Sequence, residues 1–339
     1  MSKTLLITLA LFTALASCKN DKKTESQTNS TEQPAQSTSA PAFDADSAYQ
    51  YIARQVSFGP RVPNTAAHVK GGDYLVAKLK EFGFAVIEQK FQAKTWDGKT
   101  LNARNIIGSI NPQASKRIVL SSHWDSRPRS DQDTTVADRA DAVLAANDGA
   151  SGVGVLLELA RAIQKAKQKP SVGIDLVFFD AEDWGDGEKA GGDKEPGNEF
   201  DYIGFCLGSR YWAKNPHVPG YKAYYGILLD MVGAKGATFA KEGYSMQFAP
   251  SIMNQVWQTA SQLGYSQYFV DTAGGSITDD HIAPNIIAKI PMIDIIHTNL
   301  QTGGFFPAWH TNEDTMENID RGTLKAVGQT LLQTLYNEQ

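Results

Sequence analysis

Apolar positions along this chain fall into two repeating patterns. At 44–57 and 67–82 they return every three or four residues: Ala48, Tyr51, Ile52 and Val56, then Leu75, Val76, Leu79 and Phe82. That spacing predicts two amphipathic helices, the first capped by Asp44 and the second stopped at Gly83. Other stretches are apolar almost throughout. Residues 117–122, 172–179, 224–232 and 290–296 predict short buried strands, and 84–91 and 103–110 predict two more around a turn at Asp97-Gly98. Helices are expected at 153–163, lined by Val153, Leu156, Leu157, Leu159, Ala160 and Ile163, and at 207–214, 251–263 and 324–336. Strands alternating with helices imply one α/β domain, its mixed, mostly parallel central sheet flanked by helices on both faces.

The first residues break the pattern. Lys3, an apolar stretch at 5–15 and Leu15-Ala16-Ser17-Cys18 form a leader too short to span a bilayer. It reads as a lipoprotein-type signal over 1–17, with Cys18 the lipidated first residue of the mature chain; a plain secretory signal with an incidental cysteine is the alternative. Residues 18–42 are rich in Ser, Thr, Gln, Lys and Glu and are expected to be a disordered tether. Residues 43–339 make the folded part. The protein is then exported and held by its lipid to the bacterial envelope, facing the periplasm or the cell surface. With only two cysteines, lipidation of Cys18 leaves Cys206 unpaired, read as a buried small hydrophobe.

Composition adds an exclusion. Charged residues make up 20% of the chain, the net charge is -5, and no basic run occurs. Nucleic acid is not the expected partner.

Chemistry gathers where apolar runs stop. Leu176-Val177-Phe178-Phe179-Asp180-Ala181-Glu182-Asp183-Trp184 passes from buried strand to acid in one step. The carboxyl end of a strand is where open α/β sheets bind ligands; the bland reading is a solvated acidic turn. Asp230 repeats the pattern inside Ile227-Leu228-Leu229-Asp230-Met231-Val232. Asp148, in Asn147-Asp148-Gly149-Ala150-Ser151-Gly152, taken alone reads as a helix N-cap, but its small neighbours permit close backbone approach. His310 follows a Pro- and aromatic-rich turn that would fix it. Asp148, Asp183 and His310 together supply three oxygen or nitrogen donors and leave a position open, the pattern of catalytic zinc. His123 and Asp230 would complete a second metal site beside Asp148. The acidic stretch 186–204 reads as a rim or lid, or as a surface insertion.

These motifs, with His123-Trp124-Asp125-Ser126, Gly208-Ser209-Arg210, Asp279-Asp280-His281-Ile282 and Trp309-His310-Thr311, resemble the zinc-dependent aminopeptidase superfamily. Within it, the chain resembles more closely the animal-type glutaminyl cyclases, in a bacterial version. The resemblance implies a zinc-aminopeptidase-like fold and one zinc per chain, held by Asp148, Asp183 and His310. It makes Glu182 the general acid/base, and places Asp230 and Asp279 in an acidic hydrogen-bonded network. Trp309, with Asp280 and Trp184, would contact substrate: peptides or proteins with N-terminal glutamine, handled by a monomer.

Four departures stand out. Asp183 takes the place of a glutamate. Asp294 stands where the animal cyclases have a histidine, with His297 beyond it as the other candidate. Ser122 removes a disulfide partner, and Trp184 is only a candidate for a second active-site tryptophan. An aminopeptidase on the same residues, with one or two zincs, is the principal rival; an inactive binding protein is the other.

Overall fold

Four of the apolar runs lie side by side and parallel in the computed structural model, which describes residues 39–187 and 204–338. They are β3 (Arg117–His123), β4 (Gly173–Phe179), β5 (Tyr225–Asp230) and β8 (Met292–Ile296). Two longer strands, β1 (Ala85–Lys94) and β2 (Thr100–Ile110), form an antiparallel hairpin, and β2 pairs antiparallel with β4. The sheet is six-stranded and mixed, in the order β1-β2-β4-β3-β5-β8.

Alternation persists even where every strand residue is apolar. Ile118, Leu120, Ile174, Leu176, Phe178, Ile227, Leu229, Ile293 and Ile295 enter one large core. Their neighbours Val119, Val177, Phe179, Leu228 and Met292 enter a smaller one on the opposite face. The large core is closed by α1 (Ala45–Val56), α2 (Ala66–Glu81), α3 (Ala150–Lys165), α6 (Pro250–Gln262) and α7 (Arg321–Asn337). The smaller is closed by Trp212 and Ala213 of α4 (Leu207–Lys214). Helices thus cover both faces, as the alternation of elements predicts.

Short elements without periodicity are additional to the sequence reading. A second, two-stranded parallel sheet joins β6 (Phe239–Lys241) to β7 (Phe269–Ala273), and α5 (Gly243–Phe248) precedes α6. No helix among the described residues is long and apolar enough to cross a membrane. The leader, Cys18, the tether as far as residue 38 and residues 188–203 of the acidic stretch lie outside the described residues.

Candidate metal centre and its acidic surround

Because the parallel strands end together, the residues that follow them converge. His123 closes β3, Asp230 closes β5, and Phe179 of β4 leads straight into Asp180, Ala181, Glu182 and Asp183. The chain turns sharply at these exits. Ala181 and Met231 hold φ of 55° and 49°, and His310 holds 57°. Left-handed backbone costs a non-glycine residue about 1–3 kcal/mol and clusters at functional sites.

Asp148 is not the cap of α3. The N-cap is Gly149, at φ 89°, and no side chain caps the helix. The Asp148 carboxylate instead lies 2.9 Å from His123 Nε2. A β-carbon on Gly149 would sit 2.6 Å from the His123 ring, so glycine is what lets the two side chains meet. Gly152 serves the same approach from the helix side: a β-carbon there would come within 2.7 Å of the Leu229 carbonyl oxygen.

Asp148, Asp183 and His310 bring one donor atom each to within 4.8 Å of one another. His310 Nε2 is 3.1 Å from Asp183 Oδ1 and 3.5 Å from Asp148 Oδ2, and all three residues are buried. The donors suit a divalent cation. Asp183 Oδ2 is buried with no hydrogen-bond partner. Burial lowers the His310 pKa, favouring the neutral imidazole that a metal binds. Burial and the nearby Asp183 push Asp148 well above the carboxylate range, a repulsion that a cation relieves. Burial would raise Asp183 too, but His310 and Arg127 outweigh it and hold that carboxyl at about 2. Three buried N/O donors without a thiolate fit a single zinc.

Residues not singled out from sequence hold this triad. Arg127 Nη1 donates to Asp183 Oδ1 at 3.0 Å, and its Nε and Nη2 clamp Asp131, whose Oδ1 lies 3.7 Å from His310 Nδ1. Asp125 accepts the backbone N–H groups of Glu182 and Asp183 at 3.1 and 3.3 Å. Asp314 accepts those of Asn147 and Asp148 at 2.8 and 3.0 Å. Asp125 stands inside the His123-Trp124-Asp125-Ser126 motif; for Arg127 and Asp314 the sequence signal is adjacency, to His123 and to His310. Partners of this kind typically carry about 10–100-fold in metal affinity. The Asp314→Ala variant is accordingly expected to bind zinc about 10–100-fold more weakly, as read by competition with a chelating dye; an unchanged affinity would remove Asp314 from the support of Asp148.

Asp148 belongs to a second set as well, with His123 and Asp230. His123 Nε2 is 3.3 Å from Asp230 Oδ1 and its Nδ1 is 3.5 Å from Asp125. Burial works against the imidazolium, yet Asp125, Asp148 and Asp230 together raise its pKa well above the usual value.

Beside the triad lies the acidic network. Burial, with Asp183, Asp279 and Asp280 nearby, lifts Glu182 well above the ordinary glutamate range, against the pull of His123. Burial and Asp230 put Asp279 at about 6. Asp280 and Asp294 are pushed well up, first by burial and then by Asp279. Of the two candidate positions, Asp294 on β8 joins this acidic group: it is wholly buried beside Asp279 and Asp230, lies 3.9 Å from His281, and neither of its carboxylate oxygens has a hydrogen-bond partner. His297 stands apart, its ring 6.2 Å from that of Phe306, and burial drops its pKa to about 4. Trp309 stacks on His310 with ring centroids 3.7 Å apart, backed by Phe305 at 4.7 Å. Trp184 is not brought to the triad. Its indole is packed among Val62, Phe91 and Leu101 and donates to Asp97 at 3.1 Å.

Comparison with known proteins agrees with this geometry. The model of Peptidase family M28 matches residues 105–335. A solved structure of Bacteroides thetaiotaomicron glutaminyl cyclase bound to N-acetylhistamine is 51% identical with a TM-score of 0.83, the match covering 88% of this chain and 100% of that one. A Zn-dependent exopeptidase from Parabacteroides distasonis is 52% identical with a TM-score of 0.82, over the same shares. The bovine protein named glutaminyl-peptide cyclotransferase is 27% identical over 260 residues, 67% of this chain. The match spans 64% of that bovine protein, just under two thirds of its length.

Proposed function

This chain belongs to Peptidase family M28, and we propose that within that family it is a zinc-dependent glutaminyl-peptide cyclotransferase. It converts the N-terminal glutamine of peptides or proteins to pyroglutamate and releases ammonia. The observation that carries this reading is Trp309. Its ring is stacked on the His310 ring, 23° from parallel with centroids 3.7 Å apart, beside the metal donors. A flat apolar ring at the metal suits the folded-back side chain of a glutamine closing on its own amine. Solved glutaminyl cyclases from Bacteroides thetaiotaomicron, Tannerella forsythia and Porphyromonas gingivalis, 49–51% identical, support the cyclase, and the 52% identical Zn-dependent exopeptidase stands on the side of the second reading below.

Asp148, Asp183 and His310 hold the zinc, which when bound supplies the positive charge that polarises the side-chain amide carbonyl. Glu182 takes a proton from the α-amine and passes it to the departing ammonia. A carboxyl lifted above its ordinary range is suited to that double task, since it must both accept and give. The ring C–N bond forms as the C–NH2 bond breaks. Trp309 packs against the folding side chain, and Asp279 and Asp280, with Asp230 and Asp294 beside them, form the buried acidic group that together with burial keeps the Glu182 carboxyl high. Both reacting groups belong to one residue, so the protein chiefly holds the reactive conformer.

A second reading has its own observation. The set His123, Asp148 and Asp230 offers donors for another ion, and paired ions activate water in aminopeptidases. One assay separates the two. The full chain is incubated with a Gln-initiated dipeptide, with ammonia, free glutamine and zinc content measured. Ammonia, an uncleaved cyclised peptide and one zinc per chain are expected; free glutamine with two zincs would replace the cyclase by the peptidase.

The protein works as a monomer on the envelope, anchored through Cys18. Support for the anchor is the leader motif in the sequence. Detergent phase partitioning checks it: the wild type is expected in the detergent phase and the Cys18→Ala variant in the aqueous phase, and a wild type in the aqueous phase would refute the anchor. Light scattering at the mass of a single chain checks the monomer.

A further inference from the structure

We propose that Cys206 is a positioning residue for Glu182, its thiol holding one carboxylate oxygen so that the other is presented to the substrate. The thiol Sγ lies 3.3 Å from Glu182 Oε1 and donates to it. Among the described residues no other side chain donates to this carboxylate. Glu182, Cys206 and Asp279 form one tight group with donor atoms within 4.8 Å of each other, and Cys206 is wholly buried.

Backbone contacts fix the thiol where it is. Cys206 N–H donates to the Glu182 carbonyl at 2.9 Å and Leu207 N–H to the Ala181 carbonyl at 3.1 Å, clipping the start of α4 to the exit of β4. Gly208 makes the approach possible, since a β-carbon there would run into the backbone of Asp180. Cys206 itself adopts φ 57° and ψ 34°, a left-handed conformation that a side chain disfavours. The packing around it enforces that conformation, and with it the aim of Sγ. Burial, with Glu182 and Asp280 nearby, keeps the thiol protonated and therefore a donor. A thiol is a weak donor, so it orients the carboxylate while leaving the second oxygen free for the reaction.

The inference rests on Glu182 as proton carrier in the reading above. Two variants test it. In Cys206→Ala, kcat is expected to fall about tenfold with KM within about twofold, because a misaligned base slows the chemical step and not binding. Cys206→Ser, which keeps a donor, is expected to recover part of that loss. The ratio to wild type is taken on whichever product the wild type makes, ammonia or free amino acid, because both chemistries use Glu182. A wild type that makes only free amino acid overturns the cyclase reading and leaves this ratio readable. Crystal structures of the zinc-loaded variants give a readout independent of turnover. Glu182 should occupy more than one side-chain orientation in the alanine variant and one in the serine variant. A single unchanged orientation in the alanine variant, or wild-type kcat with only a lowered melting temperature, would overturn the proposal.

Discussion

In the Glu182→Gln variant kcat falls by about 10²–10⁴-fold, the contribution expected of a positioned proton carrier, while zinc stays at one per chain. The amide has nearly the shape of the carboxylate and can still accept from the Cys206 thiol, so the local packing survives. It cannot take the proton of the α-amine. Metal binding is spared because Asp125 holds the backbone at both Glu182 and Asp183, independently of the Glu182 side chain. The pH profile offers a second check. The Glu182 pKa is raised, chiefly by burial. Below that pKa the group is protonated and cannot accept, so wild-type kcat climbs as pH rises through it. The residual activity of the variant should lack that limb. Ammonia release measured across pH, with zinc content by atomic absorption, reads both. Near-normal turnover in a zinc-loaded variant would remove Glu182 from the mechanism.

The His310→Ala variant loses zinc and, with it, turnover. It leaves Asp148 and Asp183 facing each other without the imidazole that lies 3.1 Å from one and 3.5 Å from the other. Arg127 beside Asp183 and His123 beside Asp148 are then left to offset their mutual repulsion. In the wild type, zinc at about a thousandfold above its Kd adds about 4 kcal/mol of stability by mass action, so the melting temperature rises with added zinc and falls on chelation. The variant's melting temperature should ignore both treatments. Scanning fluorimetry with and without a chelator measures this, alongside metal content. Stoichiometric zinc in the purified variant would move the metal elsewhere, and His123 with Asp230 would become its holders.

What could be read before folding was whatever is local. Leu176 to Asp183 announces a strand ending in acid because period and chemistry share eight residues, and Asp230 does the same within its own run. Asp148 shows the limit. An aspartate before a helix suits a cap and a ligand equally, and the choice is made by Gly149 turning the backbone and by a histidine 25 residues earlier. Arg127, Asp131 and Asp314 were hidden for the same reason. Each stands in an unremarkable polar loop, and Asp314 acquires its role from a backbone 166 residues away. Trp184 is the opposite case: the resemblance makes it a candidate substrate contact, while in the fold Asp97 on the distant hairpin takes its indole N–H. The three-residue strand Phe239–Lys241 is too short for any period to emerge.

Asp148 has one oxygen 2.9 Å from His123 and the other 3.5 Å from His310. On such a scaffold the number of ions is not governed by the supply of ligands. A lineage can pass between single-ion and paired-ion chemistry by tightening or releasing one histidine, with no side chain gained or lost. Inheritance of every ligand is therefore a poor guide to ancestry of function in this fold, and the residues that restrain His123 are where divergence between cyclising and hydrolysing descendants should be written.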